Sequence, residues 1–259
     1  MLSKLIKIPL LKRLIPSISI RILNFIKKNR GYYRVQDFMM YLDFLDPIDR
    51  EIILQQEFEK AEVNYLINSI KKNNISFFFD VGANCGYYSI IIAKNIDKIK
   101  IFSFEPNDEA YFKFSKTLEK NIDLLDKIKP LNFGLSDTPG KFKMQSLVKF
   151  GYAQTGGSSV INNNYISKNF ITEANFKIGD DVIKLNNQKI ALKIDVEGHE
   201  INVIKGLEKT LKNNHFILQI EIFKKNFSNV NNYLNSLNYN LFYELKNKSN
   251  YYYSNFNHY

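Results

Sequence analysis

The stretch FFFDVGANCGYYSIIIAK, residues 77–94, constrains the fold more than any other part of this chain. An apolar run ends at Asp80, glycines follow at positions 82 and 86, and apolar residues resume at Tyr87. A buried strand, a tight turn and a helix explain this order, because glycine allows a close backbone approach and a positive φ. In a parallel α/β sheet, such a turn lies where ligands bind.

Strand and helix patterns alternate after this stretch. The predicted strands are 77–81, 99–104, 128–135, 190–196 and 215–222, and the predicted helices begin at 87, 108, 200 and 229. Residues 240–245 and 251–256 predict a terminal hairpin, and residues 33–43 a strand or hairpin. Strands that alternate with helices favour an α/β fold, with a mostly parallel sheet covered on both faces.

The charge of the chain is concentrated at its start. Residues 1–30 hold eight lysines and arginines and no acid, in a chain of net charge +10. Leu, Ile and Phe alternate with these cations, so the segment predicts a basic amphipathic arm. The arm either contacts an anionic membrane surface or packs on the body. A nucleic-acid enzyme would carry its basic patch on the body, so we expect no nucleic-acid partner.

Composition also indicates the cellular compartment of the protein. A lone cysteine, Cys85, excludes an intramolecular disulfide and a multi-cysteine zinc site. The arm has no apolar run of 18 residues and no cleavable signal pattern, so neither a membrane span nor export is expected. We predict a cytoplasmic protein, at the inner face of the membrane if the arm binds lipid.

The acid that opens the glycine loop indicates the kind of cofactor. The loop reads D-x-G-x-N-x-G rather than G-x-G-x-x-G. A carboxylate at Asp80 suits a ligand with an ammonium group better than a pyrophosphate. Glu105 lies 25 residues further on, where an acid can accept hydrogen bonds from ribose hydroxyls. We therefore expect S-adenosyl-L-methionine to be bound by Asp80, Gly82, Asn84, Gly86 and Glu105. In the alternative, Asp80 caps the helix and Glu105 is a surface acid.

Polar residues interrupt two strands that should be buried on both faces. Lys193 and Asp195 share one face of their strand, and Gln219 and Glu221 share one face of the next. Burying a charged side chain destabilises the fold unless the charge is paired or serves a function. These residues therefore predict either the floor of an active site or an ionic network whose members are all paired. Asp195, Glu197, His199 and Glu221 are the candidate bases, with Lys193 beside them. Asp195 with Glu221 could instead hold a divalent ion, but no third oxygen ligand can be named, so we predict no metal.

The blocks DVGANCG, FSFEPNDEAY, LNFGLSD and KIDVEGHE together resemble the FkbM-type S-adenosylmethionine-dependent methyltransferases. The resemblance covers about residues 38 to 222. It implies a Rossmann-like, class I methyltransferase fold with a seven-stranded sheet, and it implies that Ser136 and Asp137 lie near the adenine. The expected domains are the arm (1–30), an N-terminal extension of helices and strands packed on the core (31–75), and the methyltransferase domain (76–259), in which 141–189 is the expected acceptor loop.

The resemblance also implies a reaction. The expected chemistry is O-methylation of a sugar hydroxyl, with a small-molecule or nucleotide-linked sugar from polysaccharide biosynthesis as acceptor. Hydroxyl side chains in the stretch TGGSSV, including Thr155, Ser158 and Ser159, could bind that acceptor beneath a lid. The alternatives are a non-sugar acceptor such as a phosphoramidate, a lipid or a natural product, and a non-catalytic, membrane-associated relative of the fold.

Overall fold

The computed structural model describes residues 29–146, 148–149, 152–161, 170–245 and 249–257. Residues 1–28 of the predicted basic arm lie outside the described residues, so its membrane contact stays a prediction. Within these ranges, no helix combines the length and the apolar character needed to cross a membrane.

Residues 30–72 form a hairpin followed by two helices. These elements are β1 (Arg30–Val35), β2 (Phe38–Asp43), α1 (Pro47–Gln55) and α2 (Lys60–Lys72). The two strands pair antiparallel, which confirms the hairpin prediction for this region. Asp46 starts α1 by accepting a hydrogen bond from the Ile48 amide, and Pro47 follows it. Both residues favour a helix N-terminus, because the aspartate satisfies a free amide and proline has none to satisfy.

A seven-stranded sheet forms the centre of the molecule. In spatial order its strands are β14 (Asn240–Glu244), β15 (Asn250–Ser254), β13 (His215–Glu221), β12 (Lys189–Ile194), β3 (Phe77–Val81), β4 (Lys100–Phe104) and β5 (Ile128–Leu131). The five strands from β13 to β5 are parallel, and β15 pairs antiparallel with both β13 and β14. The predicted fold class, with its terminal antiparallel hairpin, is confirmed.

Helices cover both faces of this sheet. They are α3 (Tyr87–Asn95), α4 (Asp108–Glu119), α5 (Gly179–Val182), α6 (Glu200–Gly206), α7 (Glu208–Lys212) and α8 (Phe227–Ser236), with a 3-10 turn at Ile122–Leu124. Successive strand residues face opposite sides. Phe78 therefore packs in one apolar cluster with α2 and α3, whereas Phe79 packs in the other with α6 and α8. Burial on both faces explains why these strands are nearly continuous apolar runs.

The helix predicted to begin at residue 200 is two helices that meet at Leu207. Close packing at the junction requires Gly206, because a Cβ there would lie 2.0 Å from the Ser136 carbonyl oxygen. The break therefore brings the end of α6 against the strand that contains Ser136.

A second, four-stranded sheet replaces much of the loop predicted over residues 141–189. Its order is β10 (Ser159–Val160), β7 (Gly140–Ser146), β11 (Phe170–Ile178) and β6 (Gly134–Ser136), and a two-stranded pair, β8 (Val148–Lys149) and β9 (Tyr152–Ala153), lies beside it in sequence. The predicted strand 128–135 is split between the two sheets, since β6 leaves β5 to pair parallel with β11. A Cβ at Gly134 would lie 2.3 Å from the Phe176 ring, so the chain needs glycine where it passes from one sheet to the other.

Candidate active site

A cavity opens at the carboxyl ends of β3, β4 and β12, the place where open α/β sheets bind ligands. It encloses about 640 Å³ of empty space, part of it open to solvent, which is within the range of small-molecule sites. The predicted site residues that line it are Gly82, Asn84, Glu105, Asp195, Glu197 and His199. The other predicted site residues are not part of the lining: Asp80, Gly86, Ser136, Asp137, Lys193 and Glu221.

The glycine loop after β3 is held tightly against its neighbours. Gly82 and Gly86 have φ values of +83° and +82°. A Cβ at Gly82 would lie 1.8 Å from the Asp195 carbonyl oxygen, and one at Gly86 would lie 2.2 Å from the Phe114 ring. Glycine is therefore required at both positions, and the loop fixes the floor of the cavity against the end of β12.

Glu105 follows β4 and is held by backbone amides. Its carboxylate accepts hydrogen bonds from the amides of Asn84 at 2.7 Å and Asn107 at 2.8 Å. Burial raises the pKa of Glu105 to about 7 in spite of these bonds. A carboxylate has about four acceptor sites, so two remain for the vicinal hydroxyls of a ribose.

Asp80 lies below the cavity rather than in its wall. It is fully buried and accepts a hydrogen bond from Ser89 Oγ at 2.6 Å. Burial raises the pKa of Asp80, and the nearby Lys193 ammonium opposes this effect. Its contact with the cofactor stays a prediction, and in this structure Asp80 supports the loop from beneath.

The polar residues of β12 and β13 meet as the sequence predicts. Lys193 donates to Asp195 Oδ2 at 3.0 Å, and its ammonium lies 4.7 Å from the centre of the Tyr88 ring. Lys193 pairs in register with Gln219 on one side and Asp80 on the other. In spite of burial, Asp195 and its acidic neighbours raise the pKa of Lys193. Lys193 is therefore a fixed cation that holds Asp195 in place.

Two further carboxylates at this edge have raised pKa values. Burial, with Asp195 beside it, raises the pKa of Glu197 to about 7 and that of Glu221 to about 8. Glu197 lines the cavity from a turn in which it has φ +52° and Gly198 has φ +104°. A carboxyl group with a pKa near neutrality suits proton transfer.

Sequence reasoning missed Glu59, which joins this group from the start of α2. Its Oε2 accepts a hydrogen bond from the Tyr88 hydroxyl at 2.7 Å, and burial raises its pKa. The Tyr88 hydroxyl in turn accepts from Gln219 Nε2 at 3.1 Å. Glu59 precedes α2 in an irregular turn, with a left-handed backbone at φ +46°. Because it belongs to no regular helix or strand, no periodic sequence pattern marks it.

Ser136 and Asp137 lie behind the cavity wall, next to its lining residues Gly134 and Leu135. Ser136 Oγ lies 3.0 Å from His199 Nε2 and 3.2 Å from Asp137 Oδ1. Their nearness to the adenine stays a prediction, and the structure joins them to His199.

The roof of the cavity comes from two segments that are distant in sequence. Ile48 of α1 and residues 155–158 of the Gly/Ser stretch line it together. Asp46 Oδ2 accepts hydrogen bonds from the Thr155 amide at 2.8 Å and from its hydroxyl at 2.9 Å. A Cβ at Gly156 would lie 2.3 Å from Ile48 Cδ1. We call this contact between residues 46–49 and 154–158 the roof clamp.

Lys113 of α4 completes the roof clamp. Its ammonium donates to Asp49 Oδ2 at 2.6 Å and to Thr155 Oγ1 at 2.9 Å. Lys113 and Asp49 are almost fully buried. Sequence reasoning missed all three charges of the clamp, although a lysine among the buried positions Ala110, Phe114 and Thr117 was an available signal.

Two unpartnered polar atoms of lining residues test whether the cofactor fits. Within the described part of the chain, Asn84 Oδ1 and His199 Nδ1 are buried without a hydrogen-bond partner. The first is an acceptor and the second can be one. A ligand with an ammonium group, ribose hydroxyls and an aromatic amine supplies donors and positive charge, so the residues present fit S-adenosylmethionine. The described ranges contain no group of three or more His, Cys, Asp or Glu side chains placed to hold a metal ion.

The fold and the cavity define a class I, Rossmann-like methyltransferase. A model of the Methyltransferase FkbM domain matches residues 80–241, more than half of the chain. The chain therefore belongs to the FkbM methyltransferase family, as its sequence motifs predict. The predicted cofactor, S-adenosylmethionine, is confirmed for this domain.

Two curated proteins resemble the chain over part of their length. The hexuronic acid methyltransferase AglP of Haloferax volcanii is 28% identical over 164 residues, which cover 62% of this chain and 61% of AglP. The methyltransferase sdnD of Sordaria araneosa is 26% identical over 158 residues, which cover 51% of this chain and 61% of sdnD. The chain thus spans about three fifths of each relative. A crystal structure of an FkbM methyltransferase from Methylobacillus flagellatus is 16% identical, with a TM-score of 0.49, over 70% of this chain and 43% of that one.

Glu105→Gln should weaken binding of S-adenosylhomocysteine by roughly 10- to 100-fold, because hydrogen bonds to a charged acceptor are stronger than those to an amide. Calorimetry measures this affinity. Asp108→Asn is the matched control, since Asp108 is an exposed carboxylate outside the cavity. Unchanged affinity in Glu105→Gln would exclude Glu105 from ribose binding.

Proposed function

We propose that the protein is an O-methyltransferase that moves a methyl group from S-adenosylmethionine to a hydroxyl of a sugar. The observation that carries the proposal is the pair of carboxylates, Asp195 and Glu197, that line the cofactor cavity after β12. An acceptor bound at this wall would contact Asp195, which Lys193 holds in place, and Glu197, whose carboxyl group has a pKa of about 7.

Glu197 is the proposed general base. A sugar hydroxyl is a weak acid, so a positioned base must take its proton as the new bond forms. Bound S-adenosylmethionine supplies an electrophilic methyl group on a sulfonium. Glu197 takes the hydroxyl proton, and Asp195, held by Lys193, orients the acceptor oxygen and adds negative charge beside the base.

The charge of this wall favours a neutral acceptor group. Burial raises the pKa values of Glu197, Glu221 and Glu59, nearby Asp195 raises them further, and the Lys193 ammonium opposes the effect. A carboxylate as the methyl acceptor would face repulsion from these acids, whereas a hydroxyl can donate a hydrogen bond to one of them. The relative named as a hexuronic acid methyltransferase supports a sugar as the acceptor class. A role in cytoplasmic polysaccharide biosynthesis, with a nucleotide-linked precursor, extends the proposal.

A panel of acceptors tests the proposal. We would measure S-adenosylhomocysteine formation with nucleotide-linked neutral hexoses, nucleotide-linked hexuronic acids and non-sugar alcohols. Methylation of a sugar hydroxyl, located by mass spectrometry and NMR, is the expected result. Turnover of non-sugar alcohols alone would overturn the sugar assignment, and formation of a methyl ester would overturn the hydroxyl assignment.

The turnover number should depend on pH through Glu197. A base must be unprotonated to act, and burial raises the pKa of this carboxyl to about 7. We therefore expect kcat to rise as pH increases from 5.5 through about 7 and then to level off. Cofactor and acceptor are held at saturation, so that kcat reports the bound complex. A profile that is flat over this interval would contradict Glu197 as the base.

A further inference from the structure

His199 lines the cavity beside its apolar wall, and the proposed methyl transfer does not use it. Its side chain is only 5% exposed. The imidazole ring packs near Phe142 and Phe176, with ring centres 6.1 and 5.6 Å away. A polar ring in such surroundings is costly unless its nitrogen atoms find partners.

The hydrogen bonds around Ser136 assign the tautomer of His199. Ser136 has one hydroxyl proton, and Oγ donates it to Asp137 Oδ1 at 3.2 Å. Although burial opposes it, hydrogen bonds from Asn202 and Ser136 lower the pKa of Asp137, so this carboxylate is ionised and has no proton to give. Ser136 Oγ therefore accepts from His199 Nε2–H at 3.0 Å.

The other ring nitrogen then carries a lone pair. Burial lowers the pKa of His199, which favours the neutral ring. In this tautomer Nδ1 is an acceptor, and it is buried without a partner among the described residues. A bound ligand that brings an N–H donor to this wall would satisfy it.

The cavity lining indicates which part of the cofactor brings that donor. Met144, Val160 and Phe176 form one apolar cluster in the cavity wall, and the Phe176 ring packs near His199, whereas Asp195 and Glu197 supply carboxyl groups to the lining. A flat aromatic base suits the apolar wall, whereas the sulfonium end of the cofactor belongs at Asp195 and Glu197, where the acceptor is proposed to bind. Glu105, the predicted ligand of the ribose between these two ends, lines the same cavity.

We propose that His199 Nδ1 accepts a hydrogen bond from the exocyclic amine of the adenine, which makes His199 a specificity-determining residue for the cofactor. This inference rests on the cofactor of the domain and not on the identity of the acceptor. It differs from the role of base that the sequence suggested for His199, and binding experiments separate the two.

The test compares two ligands that differ at this amine. S-inosylhomocysteine has a carbonyl oxygen where S-adenosylhomocysteine has the amine. Calorimetry with the wild-type protein should show roughly a 10- to 100-fold preference for S-adenosylhomocysteine, because the carbonyl leaves a buried acceptor unpaired. Equal binding of the two ligands would overturn the inference.

Two substitutions locate the preference at His199. His199→Phe keeps a flat ring but removes the acceptor, so the preference should fall below roughly threefold. His199→Asn places an amide oxygen near the position of Nδ1 and should keep most of the preference. An undiminished preference in His199→Phe would overturn the inference. If His199→Phe does not fold, the wild-type comparison and His199→Asn decide.

The outcome is separable from that of the proposed function. Failure to methylate any sugar would overturn the acceptor assignment and leave the ligand preference intact. A large loss of turnover at saturating cofactor in His199→Phe, with the ligand preference undiminished, would assign His199 to the reaction itself and overturn its role in adenine recognition.

Discussion

Glu197→Gln is expected to lower kcat by roughly 10²- to 10⁴-fold, the range that a positioned general base contributes. Glutamine has the same shape and keeps a hydrogen-bonding oxygen, but it cannot take up the hydroxyl proton. The turn that presents this side chain should survive the change, because its positive φ values at positions 197 and 198 belong to the backbone. Affinity for S-adenosylhomocysteine, measured by calorimetry, should change little.

Two variants make this result specific. Glu244→Gln removes an exposed carboxylate outside the cavity and should leave turnover unchanged. Asp195→Asn loses the ion pair with Lys193 and should lower kcat less than Glu197→Gln, if Asp195 orients the acceptor and Glu197 takes the proton. A larger loss in Asp195→Asn, with near-normal turnover in Glu197→Gln, would exchange the two roles.

Lys113→Met should lower the free energy of unfolding by about 3–5 kcal/mol, the usual effect of removing one partner of a buried ion pair. Methionine fills the volume of the lysine stem but leaves Asp49 and Asp46 buried without their cation. Urea denaturation of the full chain measures the loss. Lys116→Met, which removes an exposed ion pair with Glu119 on the same helix, should have little effect.

Acid pH should reduce the effect of Lys113→Met. Burial raises the pKa of Asp49 to about 6 even with Lys113 beside it. A buried carboxyl group with a raised pKa destabilises the fold when it is ionised, above that pKa. This destabilisation disappears as the pH falls through the pKa and the group takes up a proton. The difference in free energy of unfolding between wild type and Lys113→Met should therefore be smaller at pH 5 than at pH 8. Adding Asp49→Asn to Lys113→Met should reduce this difference in the same way. An equal gap at both pH values would show that lost packing, rather than the unpaired charge, destabilises the variant.

The sequence predicts the central sheet well because its signals are local. The strand at 77–81 and the glycine loop after it are defined by apolar runs and by backbone positions that need glycine. The register between β12 and β3 then brings Lys193 next to Asp80. The polar residues on one face of β12 and β13 could therefore be predicted from alternation along single strands.

The second sheet and the roof clamp depend on contacts between distant segments. Strand β11 alternates weakly, with Ala174 and Phe176 facing inward between exposed neighbours, and Gly/Ser-rich residues precede it. Asp46 and Thr155 are 109 residues apart and make contact only in the folded chain. No local pattern in either segment predicts that contact, so the sequence predicts a loop over residues 141–189.

The roof clamp bears on how new acceptor specificities can arise in proteins of this shape. Thr155 belongs to the region that the sequence marks as the acceptor loop, yet its partners Asp46 and Lys113 lie outside that region, as does Asp49, which pairs with Lys113. A chimaera that receives only residues 141–189 from another family member would place a foreign loop against two buried acids and a lysine. Successful grafts should therefore need residues 46–49 and position 113 from the same donor as the loop.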